Sequence, residues 1–168
     1  FIIFFGVPGS GKTYISKILE KRYRAVRINS DDVLNIIDKN KLAPNPRTGA
    51  KMKNRYIYSL ISKIPFKNKR IILDKGMERE YKKLMKICKS KKYPYFLIKL
   101  ETKKEKAIEN IRKRNPKDAT NWTPFMYRWH KQWESAVKDI KPNISLRSGK
   151  IDLKNLYRRM DMFLKTIN

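Results

Sequence analysis

The first seventeen residues constrain the fold more than any other part of the chain, because an apolar run leads directly into a glycine-rich octet. Residues Phe1 to Phe5 are all apolar, and residues 6–13 read GVPGSGKT, which fits the pattern G-x-x-x-x-G-K-[ST]. Ile15, Ile18 and Leu19 then recur at helical spacing. A strand, a glycine-rich turn and a helix in this order predict a P-loop that binds a nucleoside triphosphate.

The chemistry of phosphate binding accounts for the residue types in the octet. Gly6, Gly9 and Gly11 can adopt backbone angles that turn consecutive N–H groups toward a phosphate, and the helix that follows presents its positive end to the same anion. We expect Lys12 to reach the β- and γ-phosphates and the hydroxyl of Thr13 to hold Mg²⁺. The predicted nucleotide-binding residues are Gly6, Pro8, Gly9, Ser10, Gly11, Lys12 and Thr13.

Two further predicted strands end in acidic residues. Ala25 to Asn29 is a short extended run followed by Ser30-Asp31-Asp32, and we expect Asp31 to lie beside the P-loop, whereas Asp32 could equally begin a helix. Arg70 to Asp74 is an apolar run that ends in Asp74. In a P-loop protein such a carboxylate supports Mg²⁺ directly or through water. The alternative is that Asp74 is a turn or capping residue.

Strand and helix patterns alternate through the rest of the chain. We predict a helix at Glu78–Ser90, a strand at Tyr95–Leu100, a charged helix at Lys103–Arg114, a short strand at Asn143–Leu146 and a closing helix at Ile151–Ile167. This alternation predicts an α/β fold of the P-loop NTPase type, in which a parallel sheet of four to five strands is flanked by helices.

The segment between the second and third strands has two parts. Lys41 to Gly49 contains two prolines and a glycine and is predicted to be a loop. Ala50 to Ile64 is predicted to be a helix, and its buried stripe is expected to consist of Met52, Tyr56, Leu60 and Ile64.

A helical lid is predicted at about residues 103–124. The charged helix breaks at Asn115-Pro116, and a second helix opens at Thr123-Pro124. Arg112 and Arg114 are candidates to contact the phosphoryl group as it is transferred, because its developing charge needs stabilisation. The alternative is that both arginines are solvated helix charges.

The chain carries a formal charge of +27, with 42 Lys and Arg against 15 Asp and Glu. Such a charge attracts polyanions and suggests a nucleic-acid partner. An AT-rich genome would also favour lysine over arginine whatever the function, so that this second origin of the charge stays open.

Other bulk properties limit the compartments in which we expect the protein to work. The single cysteine, Cys88, excludes an internal disulfide, fits a reducing intracellular compartment such as the cytoplasm, and is expected to be a core residue. No apolar run approaches the length of a membrane span. The chain begins with Phe1 inside a predicted strand, and we therefore expect residues 1–168 to be one kinase domain taken from a longer chain.

Three motifs together suggest a family: GVPGSGKT, the sequence INSDD and the sequence ILD, followed by a lid helix that ends in Arg114-Asn115. This combination resembles the 5′-hydroxyl polynucleotide kinases of the phage type and the kinase domains of RNA-repair enzymes and tRNA ligases, from Phe1 to about Ala136. The resemblance implies ATP and Mg²⁺ as cofactors, with Lys12 and Thr13 as their ligands. It implies that Asp31 activates the 5′-hydroxyl and that Asp74 and Arg114 match the third-strand acid and a lid arginine.

The chain departs from that family at two positions. Leu34 stands where the family usually has an arginine that contacts a substrate phosphate. A second lid arginine is missing at or near Asp118, where Lys117 or Arg112 would have to substitute.

The leading hypothesis for function is a kinase that transfers the γ-phosphate of ATP to the 5′-hydroxyl end of RNA or DNA during repair or ligation. A ligase or phosphatase domain outside these residues would fit that role. The alternatives are a small-molecule or nucleotide kinase, including kinases like the zeta toxins, and a P-loop ATPase or ATP-binding module that is not a kinase.

Overall fold

Five short strands form one parallel sheet at the centre of the protein. The computed structural model describes residues 1–63, 69–76, 80–114, 126 and 130–167. The strands are β1 (Ile2–Phe5), β2 (Val26–Asn29), β3 (Ile71–Asp74), β4 (Phe96–Glu101) and β5 (Ile144–Arg147). Their order across the sheet is β2-β3-β1-β4-β5, and every pair is parallel. The predicted α/β fold with a parallel sheet is therefore confirmed.

Helices cover both faces of this sheet. They are α1 (Lys12–Tyr23), α2 (Ser30–Lys39), α3 (Pro46–Lys63), α4 (Tyr81–Ser90), α5 (Lys104–Arg114), a described helical segment α6 (130–137) and α7 (Leu153–Lys165). None of the helices in the described ranges is long and apolar enough to cross a membrane.

The apolar run of β1 is buried on both sides because successive side chains point to opposite faces of the sheet. Ile3 and Phe5 pack with α3 and α4 in one core cluster, which also contains Cys88. Ile2 and Phe4 pack with α1 and α7 in a second cluster. Cys88 is thus a core residue, and burial raises the pKa of its thiol.

The start and the buried face of α3 differ from the sequence prediction. The helix begins at Pro46, because the Asn45 side chain accepts a hydrogen bond from the N–H of Thr48 at 3.0 Å and proline suits the first helical position. The predicted loop therefore ends four residues too late. The buried face is formed by Gly49, Ile57, Tyr58 and Ile61, whereas Tyr56 of the predicted stripe is 54% exposed. Ile64 lies outside the described residues.

Parallel strands bring their carboxyl ends to one edge of the sheet, where β1 leads into the P-loop. In the pairing of β2 with β3, Asn29 lies directly opposite Asp74. Ligand sites in open α/β sheets lie at this edge, next to the point where the strand order reverses. The fold therefore brings the ends of β1, β2 and β3 together at a single site.

Candidate functional site

A cleft of about 970 Å³ opens at the carboxyl edge of the sheet, and we call it the main cleft. The P-loop forms its floor. One wall consists of the start of α2, part of α3 and the end of β3, and the other consists of α5, α6 and the residues between β5 and α7. The predicted P-loop, Asp31, Asp74 and Arg114 all line this cleft, whereas Arg112 does not.

The P-loop has the backbone conformation that an anion site requires. Gly9 and Gly11 have φ values of 78° and 95°, in the region that favours glycine. Gly11 is the N-cap of α1 and no side chain caps the helix there, so the first-turn N–H groups remain oriented for a phosphate. Ser10 is fully buried, and its N–H closes the turn by donating to the Val7 carbonyl at 3.1 Å.

Lys12 lies across the concave side of the loop. Its Nζ donates to the carbonyl oxygens of Gly6 at 2.5 Å and Val7 at 2.9 Å. The ammonium group is therefore held at the rim of the phosphate cradle, where a bound anion would compete with these carbonyls for it. This position agrees with the predicted role of Lys12 at the β- and γ-phosphates.

Thr13 and Asp74 form the part of the main cleft that suits Mg²⁺. The Thr13 hydroxyl donates to Asp74 Oδ1 at 3.4 Å, although the two residues come from different elements. Mg²⁺ uses one or two protein oxygens and completes its octahedron with phosphate oxygens and water. A hydroxyl beside one carboxylate at the edge of the P-loop is therefore sufficient, and these two residues would hold the ion.

Asp74 is 3% exposed, and its buried charge is neutralised by Arg27. Arg27 Nη1 donates to Asp74 Oδ2 at 2.7 Å, while its Nε contacts Glu20 at 3.1 Å and its Nη2 contacts Asp32 at 3.4 Å. Burial alone would lower the pKa of Arg27, but hydrogen bonds and charge attraction from Asp74 and Glu20 raise it above the usual value. One guanidinium thus joins α1, β2, α2 and β3 next to the Thr13–Asp74 pair.

Asn29 connects the same carboxylate to the start of α2. Its Nδ2 donates to Asp74 Oδ2 at 2.6 Å, and its Oδ1 accepts the backbone N–H groups of Asp31 at 2.8 Å and Asp32 at 2.9 Å. The side chain is therefore the N-cap of α2. It fixes the position of Asp31 relative to Asp74, since one amide group makes the hydrogen bonds to both residues.

Asp31 lies in the first turn of α2 and faces the main cleft, as the sequence predicts. It is exposed, and the Ser30 hydroxyl donates to its Oδ1 at 3.4 Å. Asp32 is directed instead toward Arg27, and 66% of its side chain is exposed. Of the two neighbouring carboxylates, Asp31 is thus the one beside the P-loop, and Leu34 follows it along the cleft wall.

Helix α5 docks directly on the P-loop. Asn110 Nδ2 donates to the Gly9 carbonyl at 2.9 Å, and a Cβ added to Gly9 would collide with the carbonyl oxygen of Ala107. Lys106, Asn110 and Arg114 recur every four residues and face the cleft together. Arg112 is exposed on another side of the helix and does not line the cleft, so the structure brings Arg114 to the P-loop side and leaves Arg112 away from it. The predicted lid beyond Arg114, with residues 117 and 118, lies outside the described residues.

The far wall of the cleft contains a hydrogen-bonded network centred on Glu80. Lys75 Nζ donates to Glu80 Oε2 at 2.6 Å and to Asn54 Oδ1 at 2.7 Å, and Tyr58 donates to Glu80 Oε2 at 2.7 Å. Burial would raise the pKa of Glu80, but the hydrogen bonds from Lys75 and Tyr58 lower it below the usual value. The network fixes α3 to the start of α4, and Asn54, Lys75 and Glu80 line the main cleft.

Sequence reasoning missed Arg27, Asn29, Asn110 and the Glu80 network. A signal existed for Asn29, because asparagine before an Asp-Asp pair at a strand end is a strong N-cap. For Arg27 and Asn110 the sequence carries no local signal, since their partners are distant in the chain.

Comparisons with known proteins agree with this geometry. A family model described as an AAA domain (AAA_33) matches residues 1–132. An adenylate kinase of Mesomycoplasma hyopneumoniae (strain 232) is 34% identical over 87 residues, which cover 44% of this chain and 39% of that protein. The chain therefore spans about two fifths of the length of this curated relative.

Two solved structures share the fold at low sequence identity. A gluconokinase from Sinorhizobium meliloti 1021 has a TM-score of 0.54 at 14% identity, covering 99% of this chain and 91% of that chain. A deoxyadenosine kinase from M. mycoides, solved with products dCMP and dCDP, has a TM-score of 0.54 at 15% identity, covering 99% of both chains. At these identities the likeness shows the fold alone, and none of the three proteins is named as a polynucleotide kinase. Since the family model covers most of the chain, the protein belongs to the AAA_33 family and has the fold of a P-loop kinase.

Proposed function

We propose that the protein is a kinase that uses MgATP and transfers the γ-phosphoryl group to a small nucleoside, nucleotide or sugar acceptor. The observation that carries the proposal is the meeting of three groups in one cleft: the phosphate cradle, the Thr13–Asp74 pair and the Asp31 carboxylate. A P-loop that served only as a nucleotide switch would have no need of an exposed carboxylate in the same cleft.

Each group has a part in phosphoryl transfer. Lys12 and the first-turn N–H groups of α1 would bind the β- and γ-phosphates, and Mg²⁺ held by Thr13 and Asp74 would neutralise charge that develops on them. Arg114, at the end of α5, would approach the γ-phosphoryl group from the opposite side. Asp31 would accept the proton of an acceptor hydroxyl, because an alcohol is a poor nucleophile until that proton is removed.

The relatives favour a small acceptor. Their names describe kinases of adenylate, gluconate and deoxyadenosine, and the walls of the main cleft suit such a molecule. On the far side, Lys75 and Glu80 supply both signs of charge in fixed positions. Leu34 removes the arginine that a 5′-hydroxyl polynucleotide kinase would be expected to use on a substrate phosphate. The small-molecule alternative is therefore preferred to the leading sequence-based hypothesis.

A second candidate is the 5′-hydroxyl end of RNA or DNA. The formal charge of +27 favours it, because a cationic surface attracts the phosphate backbone. A nucleoside and the terminal nucleotide of a strand present the same 5′-hydroxyl to Asp31, so both candidates share one chemistry and differ in what lies beyond the acceptor nucleotide.

The test is transfer of radiolabelled γ-phosphate from MgATP to a panel of acceptors. The panel contains gluconate, deoxyadenosine, AMP and a 5′-hydroxyl oligonucleotide, and each is assayed with the parent and with Asp31→Asn. For a hydroxyl acceptor we expect the variant to lose roughly 10²- to 10⁴-fold in kcat, as for removal of a general base. For AMP, whose phosphate is already ionised, the loss is expected to be below about tenfold because no base is required.

Asp32→Asn is the matched control, since it changes the neighbouring carboxylate that faces Arg27 instead of the cleft. We expect it to retain activity within about threefold, in line with the small contribution of exposed ion pairs. A parent protein that binds MgATP but transfers phosphate to no acceptor in the panel would contradict the proposed function.

A further inference from the structure

Helix α4 and the residues that follow it form a basic stretch of the chain. Residues 81–100 contain seven lysines and three tyrosines and have no Asp or Glu. Within this stretch Lys82, Lys86 and Lys89 are exposed, and their spacing places them on one face of α4. In the part of the chain that the structure describes, none of these three lysines forms an ion pair. Among the described residues, the face is therefore a row of positive charge without an acidic partner.

A groove of about 590 Å³ runs beside this row and is separate from the main cleft. Tyr81, Tyr95 and Met85 line it together with the three lysines. Tyr81 packs edge-on against Phe5, with ring centroids 5.7 Å apart, so this aromatic wall is anchored to the core of the sheet. Burial and the nearby Tyr95 hydroxyl raise the pKa of Tyr81, which keeps the ring neutral.

Aromatic rings beside a row of lysines suit one class of ligand. Bases of a single strand stack on aromatic side chains, and lysines that follow the backbone neutralise its phosphates. The row from Lys82 to Lys89 is about 10 Å long, from the rise of an α-helix, which corresponds to about three phosphates at the spacing of one strand in a duplex. A duplex would present no base face to the tyrosines.

Glu80 lines the main cleft and its chain neighbour Tyr81 lines the groove, although the two cavities share no residue. We propose that this face of α4, with Tyr81 and Tyr95, is a binding surface for single-stranded nucleic acid. The surface takes at least three phosphates and one or two stacked bases.

Binding is measured without ATP or Mg²⁺, so that a failure of this proposal is distinguishable from a failure of the proposed transfer reaction. The probe is a short fluorescein-labelled oligothymidylate, followed by fluorescence anisotropy over a range of salt concentrations. Each phosphate contact contributes about 0.7 to the slope of log K against log [salt] for a single strand. Removing three contacts in Lys82→Gln/Lys86→Gln/Lys89→Gln is therefore expected to lower the magnitude of that slope by about 2. At 0.1 M salt this corresponds to roughly a hundredfold weaker binding.

The charge-matched control is Lys21→Gln/Lys154→Gln/Lys165→Gln, which removes three exposed lysines far from α4 in sequence and fold. It is expected to change binding by less than about threefold if the α4 face makes the contacts. Equal losses in the two triple variants would overturn the proposal, because the charge would then act as a diffuse field.

The aromatic part is tested separately with Tyr95→Leu and Tyr95→Phe. Loss of stacking is expected to weaken binding about tenfold for leucine and not for phenylalanine, which keeps the ring. Equal affinity of all three proteins would overturn the stacking contact. Vesicles that contain phosphatidylserine provide the alternative anionic surface. The proposal would also be overturned if the protein bound them more tightly than the oligonucleotide and lost that binding in the α4 triple variant.

Discussion

Replacing Arg27 by methionine tests how far its guanidinium group stabilises the buried carboxylate of Asp74. Methionine keeps the length and the apolar stem but removes the cation within 2.7 Å of Asp74 Oδ2. Glu20 and Asp32 have side chains that are 40% and 66% exposed, so water can replace their contacts at small cost. Asp74 is only 2% exposed at its side chain and would be left as a buried charge without a cation.

The expected loss of stability follows from the difference in burial between Asp74 and the other two carboxylates. Removing one partner of a buried ion pair costs about 3–5 kcal/mol, and the hydrogen bonds that Asn29 and Thr13 still donate to Asp74 favour the lower value. A loss of about 3 kcal/mol would lower Tm by roughly 6–12 °C for a chain of this size. Differential scanning fluorimetry and urea denaturation measure it. Mg²⁺ is expected to restore part of the loss in Arg27→Met because it supplies a cation to the same carboxylate.

Arg22→Met is the matched control for the Arg27 experiment. Arg22 forms an ion pair with Asp161 in which both side chains are 45% exposed, so we expect a much smaller loss of stability than in Arg27→Met. A double-mutant cycle with Asp74→Asn completes the test, and the coupling energy is expected to be about 2 kcal/mol. A coupling below about 0.5 kcal/mol would refute the reasoning, since Arg27 would then stabilise the protein without neutralising Asp74.

Three further predictions use contacts in the main cleft. Gly9→Ala is expected to destabilise the protein by about 3 kcal/mol, because φ is left-handed there and an added Cβ would overlap with α5. Gly149→Ala is the control, since Gly149 has a φ of 87° but open space where a Cβ would lie, and it should cost about 1 kcal/mol. Denaturant titration measures both losses. Asn110→Ala should weaken MgATP binding by roughly two- to tenfold in calorimetry, because one hydrogen bond to the P-loop is lost, and an equal effect of Arg112→Ala would contradict this. Because the pKa of Glu80 is lowered in the folded protein, its contribution to stability is present above its unfolded pKa and is lost as the pH falls through the folded value. Glu80→Gln should therefore lose less stability than the parent below about pH 4.5. Unchanged acid unfolding in this variant would count against the network.

The sequence predicts those parts of the fold and the site that are encoded locally. Residues 1–19 contain a buried strand, a phosphate-binding turn and a helix in direct succession, and each was found where its pattern indicates. The strand-end position of Asp74 is similarly local. In contrast, Arg27 is one of many basic residues in the chain, and only the pairing of β2 with β3 identifies it as the partner of Asp74. The start of α3 was predicted too late because the Asn45 cap and Pro46 begin the helix before the apolar pattern does.

The site residues that the sequence did not predict are held by contacts between elements that are distant in the chain. Asn110 contacts Gly9 only because α5 packs on the P-loop, and 101 residues separate the two. No periodicity or motif relates positions so distant. Arg112 and Arg114 were equivalent candidates in the sequence, and helix geometry alone separates them once the side of α5 that contacts the loop is known.

The double attachment of Asn29 has a consequence for the kinetics of turnover. Its amide fixes the first turn of α2 to β3, so that end of the helix cannot swing when an acceptor enters or a product leaves. In the proposed reaction, movement on this side of the main cleft would then be carried by α3, with the connection at residues 40–45 as its pivot, where Lys41 has a φ of 51°. Glycine at position 41 would adopt that angle without strain. Changes in this connection are therefore expected to alter the rate of product release, although none of its residues lines the phosphate cradle.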